Sequence, residues 1–385
     1  MRRDIYDAEH ETFRKVVRDF VAKEVVPHYA EWEKAGQAPS DLFRKLGELG
    51  VTGFGIPEEY GGAGEVNFKF QAVLSEESAR AGVTLGHYAL STGMVLPYFL
   101  ALATEEQKRR WFPSIASGEI ALCIGMTEPG TGSDLAGIRT AARLSEDGRR
   151  YIVNGAKTFI SGARISQLCV VVCRTTPASE GDRRAGLSLV VVPTDSPGFE
   201  FGRNLEKIGL KANDTNELSF TDVQVPLENL LGEEGRAFSY MRKNLPRERL
   251  MVGIDAVGRA AAAVDLAKTY VRERVVFGQP VAAFQNTKFV LAECDTEVEA
   301  TQAMVDRGIE LEAERELSPA DAARIKLFAT DVCGRVVDKC LQLHGGYGYM
   351  LEYPISRLYA DVRVNRIYGG SNEVMKTIIA KDLGL

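Results

Sequence analysis

The apolar residues of this chain repeat with the period of a helix at both ends and with the period of a strand in the middle. The stretch from Glu11 to Ala30 has apolar side chains at helical spacing, which predicts an amphipathic helix. In the middle of the chain the spacing changes, and Glu217 to Val223 alternates with period two, as a half-buried strand does. Farther on, from Leu250 to Val264, the helical period returns. A chain with this pattern is expected to form separate helical and β units.

These changes of period divide the chain into three predicted domains. Residues 1–118 are predicted to be helical, residues 119–232 to form a small, mostly antiparallel β-domain, and residues 233–385 to be helical again. In the last domain, long helices joined by short links favour an antiparallel bundle. Ser371 is the predicted N-cap of the final helix.

Within the predicted β-domain, Asn154-Gly155 has the composition of a two-residue hairpin turn. The flanking segments 151–153 and 157–160 are therefore predicted to be the two strands that this turn joins.

The composition argues against several classes of protein. A net charge of -6 leaves no general basic surface for nucleic acid. The four histidines are scattered and the six cysteines form no CxxC pair, which argues against a zinc site, and a disulfide framework is not expected at this size. No stretch reaches the roughly 18 apolar residues of a membrane span. The first residues lack the apolar core of a signal peptide, so we expect a soluble, cytoplasmic protein.

Six short motifs follow one another along the chain. The first, Met126 to Asp134, is a glycine-rich turn after an apolar strand, where backbone amides can approach a planar or anionic ligand closely. Alone, such a turn is also typical of an ordinary protein surface. The other five motifs are KTFISG at 157–162, RVVFG at 274–278, FQ at 284–285, QLHGGYG at 342–348 and IYGGSNE at 367–373.

In their order and spacing, the six motifs resemble those of the acyl-CoA dehydrogenase family over essentially the whole chain. The resemblance implies an α+β fold with a helical N-terminal domain, a central antiparallel β-barrel domain and a C-terminal four-helix bundle. It also implies one FAD per subunit in a homotetramer built as a pair of dimers. The implied reaction is the α,β-dehydrogenation of an acyl-CoA to a trans-2-enoyl-CoA, as in fatty-acid β-oxidation. The hydride goes to flavin N5, and the electrons then pass to electron-transferring flavoprotein.

The resemblance also implies the cofactor contacts, position by position. The segment from Ile124 to Ser133 is similar to the family's flavin-binding stretch, and 159–161 to the segment beside the isoalloxazine ring. Many members have tryptophan and threonine where this chain has Phe159 and Ser161, but serine keeps the hydroxyl that can bond flavin N5. The later motifs resemble the stretches that hold the pyrophosphate and adenosine, largely from the neighbouring subunit. The implied cofactor contacts are Ile124, Met126, Thr127, Gly132, Ser133, Phe159, Ile160, Ser161, Arg274, Phe284, Gln285, Gln342, Leu343, His344, Gly345, Gly346, Ser371, Asn372 and Glu373.

The catalytic base departs from the commoner pattern of the family. Many members have a glutamate directly after the tyrosine of the last motif, but here Gly369 follows Tyr368 and has no carboxylate. A branch that includes isovaleryl-CoA and long-chain acyl-CoA dehydrogenases has the glutamate on the first bundle helix instead, and Glu248 is the matching residue. Helical spacing independently places Glu248 on one face with the apolar residues Leu245 and Val252.

Other roles for these charged residues stay open at this stage. Glu248 could pair with Arg247 or Arg249, and Glu373 and Asp134 are the rival carboxylates. Glu373 lies in the first predicted turn of the last helix, where acidic residues are common, and Asp134 is more typical of a structural cap.

The remaining implied contacts belong to the substrate. The N–H of Gly369 is expected to donate to the thioester carbonyl. Ser133, Arg249 and Gly370 are expected to contact the acyl-CoA. The motifs are most similar to the long-chain branch of the family, while acyl length and branching stay open. Two alternatives are an acyl-CoA oxidase that uses oxygen and a non-catalytic helical oligomer.

Overall fold

The computed structural model describes residues 2–385, and its N-terminal part is helical. The run predicted from Glu11 to Ala30 is helical but interrupted by a π-helical turn at Val21–Val25 and a 3-10 turn at Val26–His28. Pro27 lies in this break and has no N–H to continue the helical bonding. A second π-helical turn spans Ser91–Val95. The α-helices are α1 Ala8–Phe20, α2 Tyr29–Ala35, α3 Asp41–Glu48, α4 Phe68–Arg80, α5 Tyr88–Leu90, α6 Leu96–Leu102 and α7 Glu105–Ala116.

The middle of the chain forms a seven-stranded sheet. Its strands are β1 Leu122–Gly125, β2 Ala141–Leu144, β3 Arg150–Ser161, β4 Leu168–Arg174, β5 Leu187–Pro193, β6 Phe199–Asn204 and β7 Thr215–Pro226. The order is β1-β4-β2-β3-β7-β6, and β5 pairs with β4. Most neighbours are antiparallel as predicted, but β4 runs parallel to β1 and to β2. Strands β4 and β5 are buried almost along their whole length, as expected for short runs of β-branched residues.

The prediction of a hairpin turn at Asn154-Gly155 is wrong. Strand β3 continues through both residues and pairs with β7 across an irregularity between Val153 and Gly155. The Asn154 side chain bridges to Asp222, donating to its carboxylate and accepting from its N–H, both at 2.9 Å. Gly155 has φ 146°, and an added Cβ would lie 2.6 Å from Thr140 Oγ1, so this position requires glycine. The same residue pair therefore closes a bulge instead of a turn.

The C-terminal part is a bundle of long helices, as predicted. Its helices are α8 Ala237–Glu273, α9 Gln285–Ala313, α10 Pro319–Leu343, α11 Pro354–Val362 and α12 Asn372–Asp382. A two-stranded ribbon, β8 Val275–Val276 and β9 Gln279–Pro280, lies between α8 and α9. Ser371 caps α12, since its Oγ accepts the N–H of Val374, which confirms that prediction. Within residues 2–385, no helix combines the length and the apolar character needed to cross a membrane.

A buried ion pair joins the loop after β1 to the sheet. Lys157 on β3 is fully buried, and its Nζ donates to Glu128 Oε1 at 2.9 Å, to the Val172 carbonyl at 2.8 Å and to the Met126 carbonyl at 3.1 Å. Glu128 also accepts the backbone N–H of Thr140 at 2.8 Å. Because every ammonium proton has an acceptor, the pair fixes the loop rigidly instead of leaving a buried charge unpaired.

Replacing Lys157 by methionine should therefore destabilise the protein strongly. The substitution leaves the Glu128 carboxylate buried without its cation, and removal of one member of a buried pair lowers the free energy of unfolding by about 3–5 kcal/mol. Urea unfolding is the measurement. The control is Lys108→Met, which breaks the more exposed Lys108–Glu105 pair and should change the stability by no more than about 1 kcal/mol. Equal effects of the two substitutions would contradict the structural role of Lys157.

Candidate active site

Glu248 is a buried carboxylate on α8, with only 8% of its surface exposed. Two side chains donate to the same oxygen, Oε1: Asn244 Nδ2 at 3.1 Å and the Tyr98 hydroxyl at 3.4 Å. Asn244 is in turn held by the Met94 carbonyl at 2.8 Å, in the π-helical turn before α6. Within residues 2–385 the other oxygen, Oε2, accepts no hydrogen bond. One oxygen is thus fixed, and the second is free to act on a ligand.

The surroundings of Glu248 bring its pKa close to neutral pH. Burial raises the pKa of Glu248 to about 7, while the hydrogen bond from Tyr98, the charge of Arg249 and the hydrogen bond from Asn244 act in the opposite direction. A carboxylate with a pKa close to neutral pH is suited to act as a general base, because a large fraction of it is ionised at that pH and it still accepts a proton readily.

Neither neighbouring arginine forms an ion pair with Glu248. Arg247 lies 3.6 Å from Glu312 and stands over the ring of Phe68 at 4.8 Å. Arg249 is buried, and its Nε has no hydrogen-bond partner within residues 2–385. The alternative that Glu248 serves as an ordinary salt-bridge residue therefore has no support in the geometry. Buried charges without a partner are rare, and they mark binding or catalytic sites.

The glycines of the last motif lie next to this carboxylate. Gly369 and Gly370 both have left-handed backbone conformations, with φ of 65° and 87°. A Cβ added at Gly369 would lie 3.6 Å from Val252 Cγ2, one helical turn beyond Glu248, and one added at Gly370 would lie 3.9 Å from Arg249 Nη2. The N–H groups of both glycines donate no hydrogen bond within residues 2–385. Two free backbone donors thus lie beside the buried carboxylate of Glu248.

The rival carboxylates have different surroundings. Asp134 is largely exposed and lies 2.7 Å from Arg183. Glu373 is also exposed, and a hydrogen bond from its own backbone N–H lowers its pKa. Neither has the buried, unpaired character of Glu248.

The structure places the first two motifs side by side, in the loop after β1 and on β3. The Thr158 N–H donates to the Thr127 carbonyl at 2.9 Å, which aligns the stretch 124–133 with 159–161. Phe159 has φ 60° and is 66% exposed, an unfavourable state both for the backbone and for an aromatic ring. Such local strain is typical of functional sites. The Phe159 ring and the glycine-rich loop after β1 offer a surface for a planar ligand.

A second group of predicted cofactor residues lies at one end of the bundle. Arg274 is exposed and stands over the ring of Tyr347 at 5.6 Å. His344 stacks on Tyr270 at 4.4 Å, and its Nδ1 lies 2.8 Å from the Cys340 carbonyl. Within residues 2–385, no hydrogen bond, ion pair or ring contact joins this group to the loop after β1. One chain therefore presents two separate half-sites.

The residues present fit a dinucleotide such as FAD. A Cβ added at Gly345 or Gly346 would meet nothing within 4 Å, so a phosphate could approach the backbone there closely. Arg274 forms no ion pair within residues 2–385 and can supply the charge that a pyrophosphate requires. The Asn372 side chain, by contrast, is taken up by contacts with Thr330 and Asp331 on α10, so its part is to hold the backbone.

Sequence reasoning missed the side chains that hold Glu248. Asn244 lies four residues before Glu248 on the same helix face, and this spacing could have identified it. Tyr98 is 150 positions away, and no local pattern connects it to Glu248.

Three acyl-CoA dehydrogenase family models match: the N-terminal domain at residues 7–119, the middle domain at 123–223 and the C-terminal domain at 235–384. The mitochondrial long-chain specific acyl-CoA dehydrogenase of Sus scrofa is 42% identical over 381 residues, which cover 99% of this chain and 88% of the relative. The crystal structure of an acyl-CoA dehydrogenase from Geobacillus kaustophilus has a TM-score of 0.96 and 44% identity, covering 100% of both chains. That of an acyl-CoA dehydrogenase complexed with FAD from Bacillus anthracis has a TM-score of 0.89 and 32% identity, covering 98% of this chain and 68% of the other.

The raised pKa of Glu248 predicts a specific pH dependence of stability. A carboxyl with a pKa of about 7 in the folded state and 4.5 when unfolded favours folding most below pH 4.5. This contribution falls as the pH rises and is lost above pH 7, a change of about 3 kcal/mol. The free energy of unfolding of wild type, measured relative to Glu248→Gln, should fall through this window and then level off.

Asn244→Leu serves as the matched variant, since it removes a hydrogen bond that favours the ionised carboxylate. In this variant, the pH at which the free energy of unfolding levels off should be higher. A difference between wild type and Glu248→Gln that does not vary with pH would contradict the raised pKa.

Proposed function

Because this chain belongs to the acyl-CoA dehydrogenase family, and is thus a FAD-dependent enzyme that acts on acyl-CoA thioesters, we propose that Glu248 removes the α-proton of the substrate. The observation that carries this proposal is the buried, unpaired carboxylate with its pKa near 7. The proton moves from the α-carbon to Oε2, the oxygen that accepts no hydrogen bond within residues 2–385. Asn244 and Tyr98 keep Oε1 in place during this transfer.

The negative charge that develops on the thioester oxygen needs hydrogen-bond donors close to that oxygen. We propose that the N–H of Gly369 donates to it, since this N–H has no other acceptor within residues 2–385 and lies beside the Glu248 face of α8. Arg249 contributes positive charge, because its buried guanidinium lies next to Gly370. Gly370 and Ser133 complete the proposed acyl-CoA contacts.

FAD, when bound, supplies the acceptor for the β-hydrogen as hydride. The exposed ring of Phe159, the buried Ile160 and the Ser161 hydroxyl are proposed to line the flavin face, next to the loop 124–133. The pyrophosphate and adenosine of the FAD bound to a neighbouring subunit are proposed to be held by Arg274, Phe284, Gln285 and the stretch 342–346. The separation of the two half-sites within one chain supports a shared site of this kind. The start of α12, Ser371 to Glu373, is the remaining proposed cofactor contact.

The proposed product is a trans-2-enoyl-CoA in fatty-acid or related β-oxidation, and the proposed electron acceptor is electron-transferring flavoprotein. Similarity to the long-chain enzyme of Sus scrofa supports a fatty acyl substrate. The matching position of the base, on a bundle helix instead of the last motif, supports the same branch.

Replacing Glu248 by glutamine should leave FAD bound but lower the rate of flavin bleaching by acyl-CoA at least about 100-fold, because general-base catalysis is lost. The rate is measured anaerobically by stopped-flow absorbance, with short-, medium- and long-chain, branched and steroid side-chain thioesters. Asp134→Asn and Glu373→Gln are the controls for the rival carboxylates, and each should bleach with at least one thioester that bleaches wild type. Normal bleaching of Glu248→Gln would rule out this residue as the base.

The identity of the electron acceptor is tested by measuring which compound reoxidises the reduced enzyme. Turnover should require electron-transferring flavoprotein or an acceptor dye, with no hydrogen peroxide formed in their absence. Peroxide release in air at the rate of acyl-CoA consumption would instead establish the alternative, an acyl-CoA oxidase.

A further inference from the structure

A lysine that no motif singles out lies directly beneath the glycine turn of the candidate site. Lys326, in the middle of α10, is fully buried. Its Nζ donates to the Gly370 carbonyl at 2.9 Å and to Asn372 Oδ1 at 2.9 Å. The Asn372 amide also donates to Thr330 Oγ1 at 3.1 Å. Lys326 thus anchors both the turn and the first residue of α12 to the bundle.

The glycine turn depends on such an anchor more than other loops do. Two consecutive glycines in left-handed conformations have no side chains of their own to fix them, and glycine has the largest backbone freedom of any residue. Apart from the bond from Lys326, the peptide groups of Gly369 and Gly370 have no hydrogen bond within residues 2–385. The turn is held before Gly369 by the Tyr368 N–H, which donates to the Val364 carbonyl at 3.1 Å, and after it by the bond from Lys326 to the Gly370 carbonyl, so the Gly369 N–H between them is oriented from outside the turn.

The charge of Lys326 is also unusual for a buried residue. Within residues 2–385, no carboxylate bonds to it directly, and its charged surroundings are Arg249 on α8, Asp331 on α10 and Glu373 on α12. Burial lowers the pKa of Lys326 to about 8, Arg249 lowers it as well, and the two carboxylates act in the opposite direction. At neutral pH, two buried cations, Lys326 and Arg249, therefore flank Gly370.

We propose that Lys326 is a positioning residue of the dehydrogenation reaction, which holds the Gly369–Gly370 turn in its donor geometry and places a second buried positive charge behind the oxygen that becomes negative. This inference rests on the proposed roles of Glu248 and Gly369. A fixed donor and a fixed charge stabilise developing negative charge without reorganising during the reaction.

A 3-oxoacyl-CoA isolates this effect from hydride transfer. Its β-carbon is a ketone with no hydrogen to give up as hydride, but its α-carbon is acidic. The α-C–H bond breaks, the proton passes to the Glu248 carboxylate, and the electron pair delocalises onto the ketone and thioester oxygens. The bound enolate absorbs in the ultraviolet, so both its amount and its rate of formation can be followed.

The FAD-loaded protein is mixed with a 3-oxoacyl-CoA over a range of pH. With Lys326→Met, the apparent pKa of the bound ligand should rise by about one unit. At a pH below this pKa, the fraction of ligand present as enolate should then be about tenfold smaller. Lys326→Gln keeps a polar group beneath the turn but removes the charge, and it should raise the ligand's pKa in the same direction. It also provides the test if the methionine variant does not fold. The control is Lys339→Met on the same helix, which removes a part-exposed lysine paired with Glu293 and should change nothing.

Wild-type values of the ligand's pKa in either folded Lys326 variant would overturn the inference. The rate of enolate formation separates this failure from a failure of the proposed function. Glu248→Gln has an intact Lys326, and enolate formation in that variant should be slow. If it is as fast as in wild type, the role of Glu248 as base is wrong. If it is slow but either folded Lys326 variant gives the wild-type pKa of the ligand, only the role of Lys326 is wrong.

Discussion

The burial of one carboxylate without a counter-ion is the constraint around which the rest of the site is arranged. Glu248 lies on a 37-residue helix that reaches from the edge of the β-domain through the bundle. Burying an ionised group is unfavourable unless hydrogen bonds compensate, so the chain supplies Asn244 from the same helix and Tyr98 from the N-terminal domain. Met94 holds Asn244, and in the same π-helical turn Ser91 accepts the N–H of Leu122 at the start of β1. Glu248 is thus fixed by elements from all three parts of the chain.

Much of this architecture could be predicted from the sequence. The family resemblance and the fold class are confirmed, as are the long bundle helices and the cap at Ser371. These features depend on local patterns, because hydrophobic period and capping residues act within a few positions. The position of Glu248 on an apolar helix face was predictable for the same reason.

What the sequence could not predict depends on pairings between distant residues. Asn154-Gly155 has the composition of a hairpin turn, but the partnership with Asp222, 68 positions away, makes it a bulge. The turn between β2 and β3 lies instead at Asp147-Gly148, where the Gly148 N–H donates to the Ser145 carbonyl. The contact of Lys326 with the glycine turn is of the same kind, since 44 positions separate its ends. A buried lysine on a helix gives no sign in the sequence of what it will meet.

The absence of a carboxylate after Tyr368 also changes the electrostatics of the turn. A glutamate at position 369 would introduce a negative charge next to Arg249 and Lys326, and it would have to adopt a left-handed backbone that glycine adopts freely. With glycine there, position 369 carries no negative charge beside the two buried cations, Arg249 and Lys326. In the proposed reaction, negative charge that develops on the thioester oxygen at this turn is stabilised by both cations, which lowers the energy of the charged state. The proposed position of the base on α8 and the glycine at position 369 are therefore consistent with one electrostatic arrangement.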